Sequence, residues 1–286
     1  ISENYGLSLL RQNIVKHDKV AWANKAASED WTHFVKEMFE KGGEYASAVT
    51  SLSTWAICFV HGNIKILDYL YKHSSFHKIL HTEGIEIAAA NGKLDVVKWL
   101  VQHCLQNCLN YCDCNAIDYA AKNGNIEIVK YLHFEKIGKC TPHAIDMAAK
   151  NGNLKVIQWL YENCMQNCTK KAKDLAAKFG HLDTLKWLSN NTKKGCTHKA
   201  IDLAATNGHL DVIKWLYENK RVNCTELSIE MAAKNGHIHV IKWLFKKRMV
   251  NFTEKAFRNA IKHEHQGIAQ YLNEIRNSSF MYKHNL

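Results

Sequence analysis

Proline is almost absent from this chain: there is one in 286 residues, Pro142. That scarcity excludes a proline-rich linker or a polyproline segment. No stretch approaches the ~18 apolar residues of a membrane-spanning helix, so a membrane partner is not expected. The opening stretch ISENYGLSLLRQNIV lacks the charged start and long apolar core of a secretory leader. Catalytic signatures are missing as well. There is no G-x-G-x-x-G, no G-x-x-x-x-G-K and no G-x-S-x-G, and HEH at 263–265 is not the H-E-x-x-H of a zinc protease. The expectation is a non-enzymatic protein with no catalytic, cofactor-binding or metal-binding residue, located in the cytoplasm, with the nucleus left open.

Repetition fills the space that these absences leave. Gly124, Gly152, Gly180, Gly208 and Gly236 follow one another at a spacing of 28, and Gly92 and Gly62 precede them at steps of 32 and 30. Asp30 and Glu264 stand where the next glycines would fall, which gives nine units with degenerate outer ones. Each unit reads as two short helices. The first starts at a column of Thr141, Thr169, Thr197, Thr225 and Thr253, with Asp113 and Ser51 in phase, all residues whose side-chain oxygen can accept from the free amides of a helix start. Pro142 directly follows one of these caps, where its missing N–H costs nothing. The glycine ends the first helix, usually after an asparagine. The second helix carries apolar residues at helical spacing, as in Leu210, Val212, Ile213 and Leu216. A single pair of this length cannot bury that face, so the units must stack around a shared core.

The recurring Ala204, Ala205, Gly208, His209, Val212, Ile213 and Leu216 pattern resembles the ankyrin-repeat family over roughly residues 20–275. The resemblance implies an all-α, ankyrin-like solenoid of about nine stacked helix-turn-helix repeats. An ordinary unit has about 33 residues and a hairpin finger. Here the loop before each threonine is shorter, and the fingers are expected as simple turns. The expected organisation is an N-terminal extension at 1–18, a repeat array at 19–275 with capping units at 19–40 and 253–275, and a tail at 276–286. The chain is expected to be monomeric outside a complex.

His181, His209, His237 and His265 follow the glycine, where the resemblance implies a histidine that bonds neighbouring loops. The family's first-helix histidine is replaced by Glu86, Asp118, Asp146, Asp174, Asp202 and Glu230. Several of these acids stand four residues before Lys122, Lys150, Lys178 and Lys234, and read as i,i+4 pairs on an exposed helix face. Trp99, Trp159, Trp187, Trp215 and Trp243, with Tyr69, Tyr131 and Tyr271, precede the core leucine by one residue, which predicts packing between second helices rather than a platform for nucleic-acid bases.

The ten cysteines are expected as free thiols. Cys112, Cys140, Cys168, Cys196 and Cys224 form a column of small apolar residues. Equivalent positions in stacked helices lie about 10 Å apart, too far for a disulfide, whose Cα atoms lie within about 7 Å. Cys104, Cys108, Cys112 and Cys114 with His103 form a cysteine-rich loop, but their spacing is not a paired C-x-x-C.

Charge is the feature that points to function. Residues 1–143 hold 15 Lys+Arg and 15 Asp+Glu, whereas 144–286 hold 23 against 12, so the whole +11 belongs to the second half. Lys193, Lys194, Lys220, Arg221, Lys246, Lys247 and Arg248 fall in the turns between repeats. Lys170, Lys171, Lys199 and Lys255 begin the adjacent first helices, whose N-termini add partial positive charge. The resemblance implies a protein partner held by first-helix faces and inter-repeat turns, and the charge implies that its surface is acidic. The alternative reading is contact of the same basic edge with nucleic acid or ribosomal RNA.

Overall fold

The computed structural model describes residues 23, 25–27, 32–73, 81–104, 114–164, 168–193 and 195–284. The chain divides into two compact units, Ile1–Cys140 and Thr141–Leu286. All regular structure among the described residues is helical, with no strand.

In the first unit α1 (Thr32–Glu40) is followed by α2 (Gly43–Val49), a short helix that the repeat pattern does not announce. Three helix pairs come next: α3 (Leu52–His61) with α4 (Ile64–His73), α5 (His81–Ala90) with α6 (Leu94–Cys104), and α7 (Ala116–Asn123) with α8 (Ile126–Phe134). The second unit holds five pairs: α9 (Pro142–Lys150) with α10 (Leu154–Asn163), α11 (Lys170–Lys178) with α12 (Leu182–Asn191), α13 (His198–Thr206) with α14 (Leu210–Lys220), α15 (Glu226–Lys234) with α16 (Ile238–Lys246), and α17 (Glu254–Lys262) with α18 (Gln266–His284). Helix α18 continues as one helix through residues 276–284. The described connections between pairs of the second unit are short and carry no strand, as the short loops predict. The extension at 1–18, the glycine-equivalent Asp30 and the expected cap Asp113 lie outside the described residues. So do residues 105–113, which carry most of the cysteine-rich loop.

The caps follow the threonine column. Thr141, Thr169, Thr225 and Thr253 accept from His143, Lys171, Leu227 and Ala256 backbone N–H groups, and Ser51 accepts from that of Thr54. Thr197 is the departure: it makes no such cap bond, and its hydroxyl is engaged elsewhere. Glycine at the turn has two causes. Gly180 has φ +76, and a Cβ added there would lie 2.6 Å from Nδ1 of His209, so neither the conformation nor the space admits a side chain. Glu264, which stands in the glycine's place in the last pair, holds φ 63.

First helices pack side by side within each unit, α3, α5 and α7 in one and α9, α11, α13, α15 and α17 in the other. Their Ala-Ala pairs, such as Ala148–Ala149 and Ala204–Ala205, are fully buried, because small side chains let two helix backbones approach. Most second helices contribute an apolar triplet to the core of their unit, for instance Val156, Ile157 and Leu160 or Val240, Ile241 and Leu244, whereas α12 places buried Thr184 beside Leu185 and Leu188, and α18 buries Ile268 and Leu272. Full burial of side chains of this size stabilises the fold by about 1.5–3 kcal/mol each.

Candidate partner-binding face

The acidic column of the first helices does not lie on an exposed face. Asp118, Asp146, Asp202 and Glu230 are all buried. In the second unit the carboxylates instead tie each repeat to the next. Asp146 accepts from Thr169 N (3.2 Å) and Thr169 Oγ1 (2.6 Å), and Asp202 accepts from Thr225 N (2.9 Å) and Thr225 Oγ1 (2.8 Å). Asp174 accepts from Thr197 Oγ1 at 3.0 and 3.2 Å. A single threonine thus serves two repeats, since its hydroxyl oxygen also caps its own helix at Thr169 and Thr225. The sequence reading of exposed i,i+4 pairs fails for these acids because their oxygens face the neighbouring repeat. A carboxylate and a threonine recurring at i and i+23 is the sequence signal that marks the tie. Burial raises the pKa of Asp174, while its bond to Thr197 and the nearby Lys199 and His198 pull it back down.

Three of the four post-glycine histidines act as the family resemblance implied; among the described residues no such ring bond is made by His209. His181 Nε2 donates to Lys150 O (3.0 Å), His237 Nε2 to Thr206 O (3.1 Å) and His265 Nε2 to Lys234 O (3.0 Å). Each ring spends its Nε2 hydrogen on the preceding repeat, which is a structural role. The aromatic column likewise packs edge to face between second helices: Tyr161 with Trp187 at 5.4 Å, Tyr217 with Trp243 at 5.5 Å and, in the first unit, Tyr71 with Trp99 at 5.6 Å. His103, considered with the cysteine-rich loop, stacks on Trp99 at 4.6 Å.

Cys58, Cys114, Cys168, Cys196 and Cys224 are thiols, and Cys114 and Cys168 are buried. Burial pushes the Cys224 thiol pKa up. The expectation of free thiols throughout fails at Cys140 and Cys164, each of which is disulfide-bonded. Column spacing constrains equivalent positions only, and Cys164 stands outside the column.

Every described member of the basic set is exposed: Lys170, Lys171, Lys193, Lys199, Lys220, Arg221, Lys246, Lys247, Arg248 and Lys255, with Lys194 outside the described residues. They occupy the first turns of α11, α13 and α17 and the last turns or following loops of α12, α14 and α16. Those positions share the loop end of antiparallel helix pairs. Among the described residues of this set only Lys255 is ion-paired, to Glu230 Oε2 at 2.7 Å. Lys220 lies over the Trp215 ring and Lys247 over the Tyr217 ring. Arg221, the C-cap of α14, and Arg248, two residues past the end of α16, hold left-handed backbone, φ 49 and φ 52. Glycine is the cheaper residue there, so a cation is being kept at a conformational cost.

The large exposed apolar side chains of the second unit fall on its first helices or the turn that ends one: Phe179, Leu227 and Ile261. Met147, Leu175, Leu203 and Met231 occupy equivalent, half-buried positions on successive first helices. The second unit therefore combines an apolar first-helix face with a cationic loop edge.

Side-by-side helix pairs tied through recurring Asp–Thr and His–carbonyl bonds define an all-α repeat scaffold. One family model, ankyrin repeats (many copies), matches residues 85–133, and another, ankyrin repeats (3 copies), matches residues 145–227. The chain belongs to the ankyrin-repeat family. No curated protein matches it. Ankyrin repeats are in general protein–protein interaction modules. No helix among the described residues is long and apolar enough to cross a membrane.

Proposed function

We propose that this chain is a non-enzymatic interaction scaffold that holds an acidic protein through the first-helix faces and inter-repeat turns of its second unit. The observation that carries the reading is the basic set: its described members are exposed, gathered at the loop end of α11 to α17, and all but Lys255 are without a carboxylate at ion-pairing distance among the described residues. Like charges placed together repel, and an acidic partner converts that repulsion into faster encounter and tighter binding. The aromatic column is engaged edge to face in packing, which favours a protein partner over unstacked bases.

The test is to reverse Lys193, Lys194, Lys220, Arg221, Lys246, Lys247 and Arg248 to glutamate together. Helicity by circular dichroism should be unchanged, because the described side chains of this set lie outside the core, and Glu264 shows that glutamate tolerates the left-handed turn. Capture of the partner and its salt dependence should be lost. Unchanged affinity at low salt would reduce the edge to a solvated rim. A binding constant for RNA that falls steeply and linearly with salt on logarithmic axes would favour the nucleic-acid reading.

A further inference from the structure

One position of the second unit breaks the repeat in a way that the fold does not require. The residue before the turn glycine is asparagine at 91, 123, 151, 207 and 235, but phenylalanine at 179. The asparagine has a structural role. Asn207 Nδ2 donates to Lys178 O at 2.8 Å and Asn235 Nδ2 to Thr206 O at 2.7 Å, each reaching back to the preceding repeat. Phe179 has no donor for this bond, and Lys150 O receives His181 alone among the bonds of this kind. In exchange the chain displays a phenyl ring that is 38% exposed. Two ammonium groups are drawn to that ring, Lys178 Nζ at 5.3 Å and Lys150 Nζ at 5.5 Å from its centroid. Half-buried Leu175, one helical turn earlier on α11, extends the apolar surface beside it.

A lost inter-repeat hydrogen bond and an exposed aromatic both act against stability, by about 1 kcal/mol for the bond. A ring flanked by two cations is, however, a combination found at the centre of binding surfaces, where a desolvated aromatic anchors and neighbouring charges select. The lysines choose the sign of the ligand, and the ring together with Leu175 asks for an apolar side chain. We infer that Phe179 with Lys150 and Lys178 is the anchor for an acidic protein segment in which a large apolar side chain is flanked by carboxylates. This inference rests on the protein-binding reading above and adds the chemistry of the ligand.

A fluorescent helical peptide with Glu and Asp beside Leu and Phe serves as the probe, and the full chain as the receptor. The same peptide with Leu and Phe replaced by Ala, and a single-stranded RNA of equal charge, are the controls. The wild-type chain should bind the apolar-bearing peptide at least about tenfold more tightly than the Ala control, a difference of about 1.4 kcal/mol. Phe179→Asn should abolish that preference while melting no lower than wild type, because it restores the asparagine bond. Phe179→Trp should retain the preference, and Lys150→Gln with Lys178→Gln should weaken both acidic peptides alike. Equal binding of the two peptides by the wild-type chain, unchanged affinity in Phe179→Asn, or tighter binding of the RNA than of either peptide overturns the inference. Partner capture by the unreversed edge would still stand in the first two cases, so failure of this anchor is distinguishable from failure of the protein-binding reading.

Discussion

The two halves of the molecule repeat the same helix pair but lock successive pairs together differently. Up to Cys140 the turn glycines are spaced 30 and 32 residues apart, and the post-glycine position carries Asn63 and Asn125, whose amides donate to Ala27 O and, at 2.9 Å, to Ala89 O. Beyond it the spacing is 28, the same position carries Asn153 and then His181, His209, His237 and His265, three of which donate back to the preceding repeat, and each described acid–threonine pair closes over the same 23 residues. A constant period is what permits this: only when every loop has the same length does a short aspartate meet the next threonine in every copy. Before the variable loop the longer Glu86 performs the equivalent reach, to Asn115 N at 2.7 Å, across 29 residues. The regular half also carries all the excess positive charge. Regularity and charge therefore coincide in one unit, and each can be perturbed without the other.

The largest effect is expected at the carboxylate ties. Asp202→Ala removes both bonds to Thr225 and should lower the unfolding free energy by about 2 kcal/mol, the range for hydrogen bonds to a charged group. Glu86→Ala, which removes one bond to an exposed partner, should cost about half as much by the same reasoning. Urea denaturation of the full chain followed by helical signal checks both values, and equal losses would dissolve the distinction between the two modes of locking.

Next comes the anomaly within the regular half. Lys173 is 2% exposed in a column that holds Ile145, Ile201 and Ile229 in the neighbouring first helices and Phe257 in the last, and its Nζ donates to Thr192 O at 3.4 Å. Burial pushes its pKa below the ordinary lysine value, against the nearby Cys196 and Cys168 and with the help of Lys220. For a base depressed in the fold, the cost of holding the charge is full at neutral pH and fades as pH rises through the folded pKa towards the unfolded one. Lys173→Ile should therefore stabilise the chain at neutral pH by roughly 1 kcal/mol, and the gain should shrink in alkaline buffer. A gain independent of pH would assign the effect to packing alone.

Much of this scaffold is legible in the sequence because its causes are local or periodic. The threonine caps, the left-handed glycines and the apolar triplet act within a few residues of themselves, and the histidine and tryptophan columns announce their roles by phase. The acid–threonine tie escaped because it couples columns of different repeats, and Asp146 with Lys150 offered a plausible local pairing instead. Lys173 and Phe179 were hidden for the opposite reason: each is one residue departing from its column, and only burial and ring geometry show that lysine has entered the core and phenylalanine has left the asparagine network. The basic set was legible both as residues and as an edge, since the two-helix repeat read from the sequence already puts second-helix ends beside the next first-helix starts, but its exposure is visible only in the structure.

A smaller effect, of opposite sign in two measurements, is expected at the cationic turns. Arg221→Gly and Arg248→Gly relieve left-handed backbone and should each raise stability by about 0.5–1 kcal/mol. Both should weaken capture of an acidic partner by removing a positive charge from the edge. Loss of stability on both substitutions would show that the arginines act through helix C-termini rather than for a partner.

The smallest effect concerns pH and separates the two halves most cleanly. Burial lowers the pKa of His237; its bond to the Thr206 carbonyl works the other way, and His209 and His265 reinforce the lowering. A base depressed in the fold contributes stability that is complete above the ordinary imidazole value of about 6.5 and is lost as pH falls through that value towards the folded one. The His237 tie should therefore loosen in mild acid, while the asparagine ties of the first half, which do not titrate, should hold. His237→Asn transplants the tie that Asn125 makes to Ala89 O into the second half, with a side chain that carries no proton to gain. Hydrogen exchange of the backbone amides of α15 and α16, followed from about pH 8 to pH 5, should show protection falling in the wild-type chain once the intrinsic rate is corrected for. The same amides in His237→Asn should keep more of their protection, and amides of α5 and α7 should serve as the internal reference in both proteins. A parallel loss in both halves, or an unchanged profile in His237→Asn, would mean that the ring is only a spacer beside Gly208 and that its protonation does not enter the stability of the repeat.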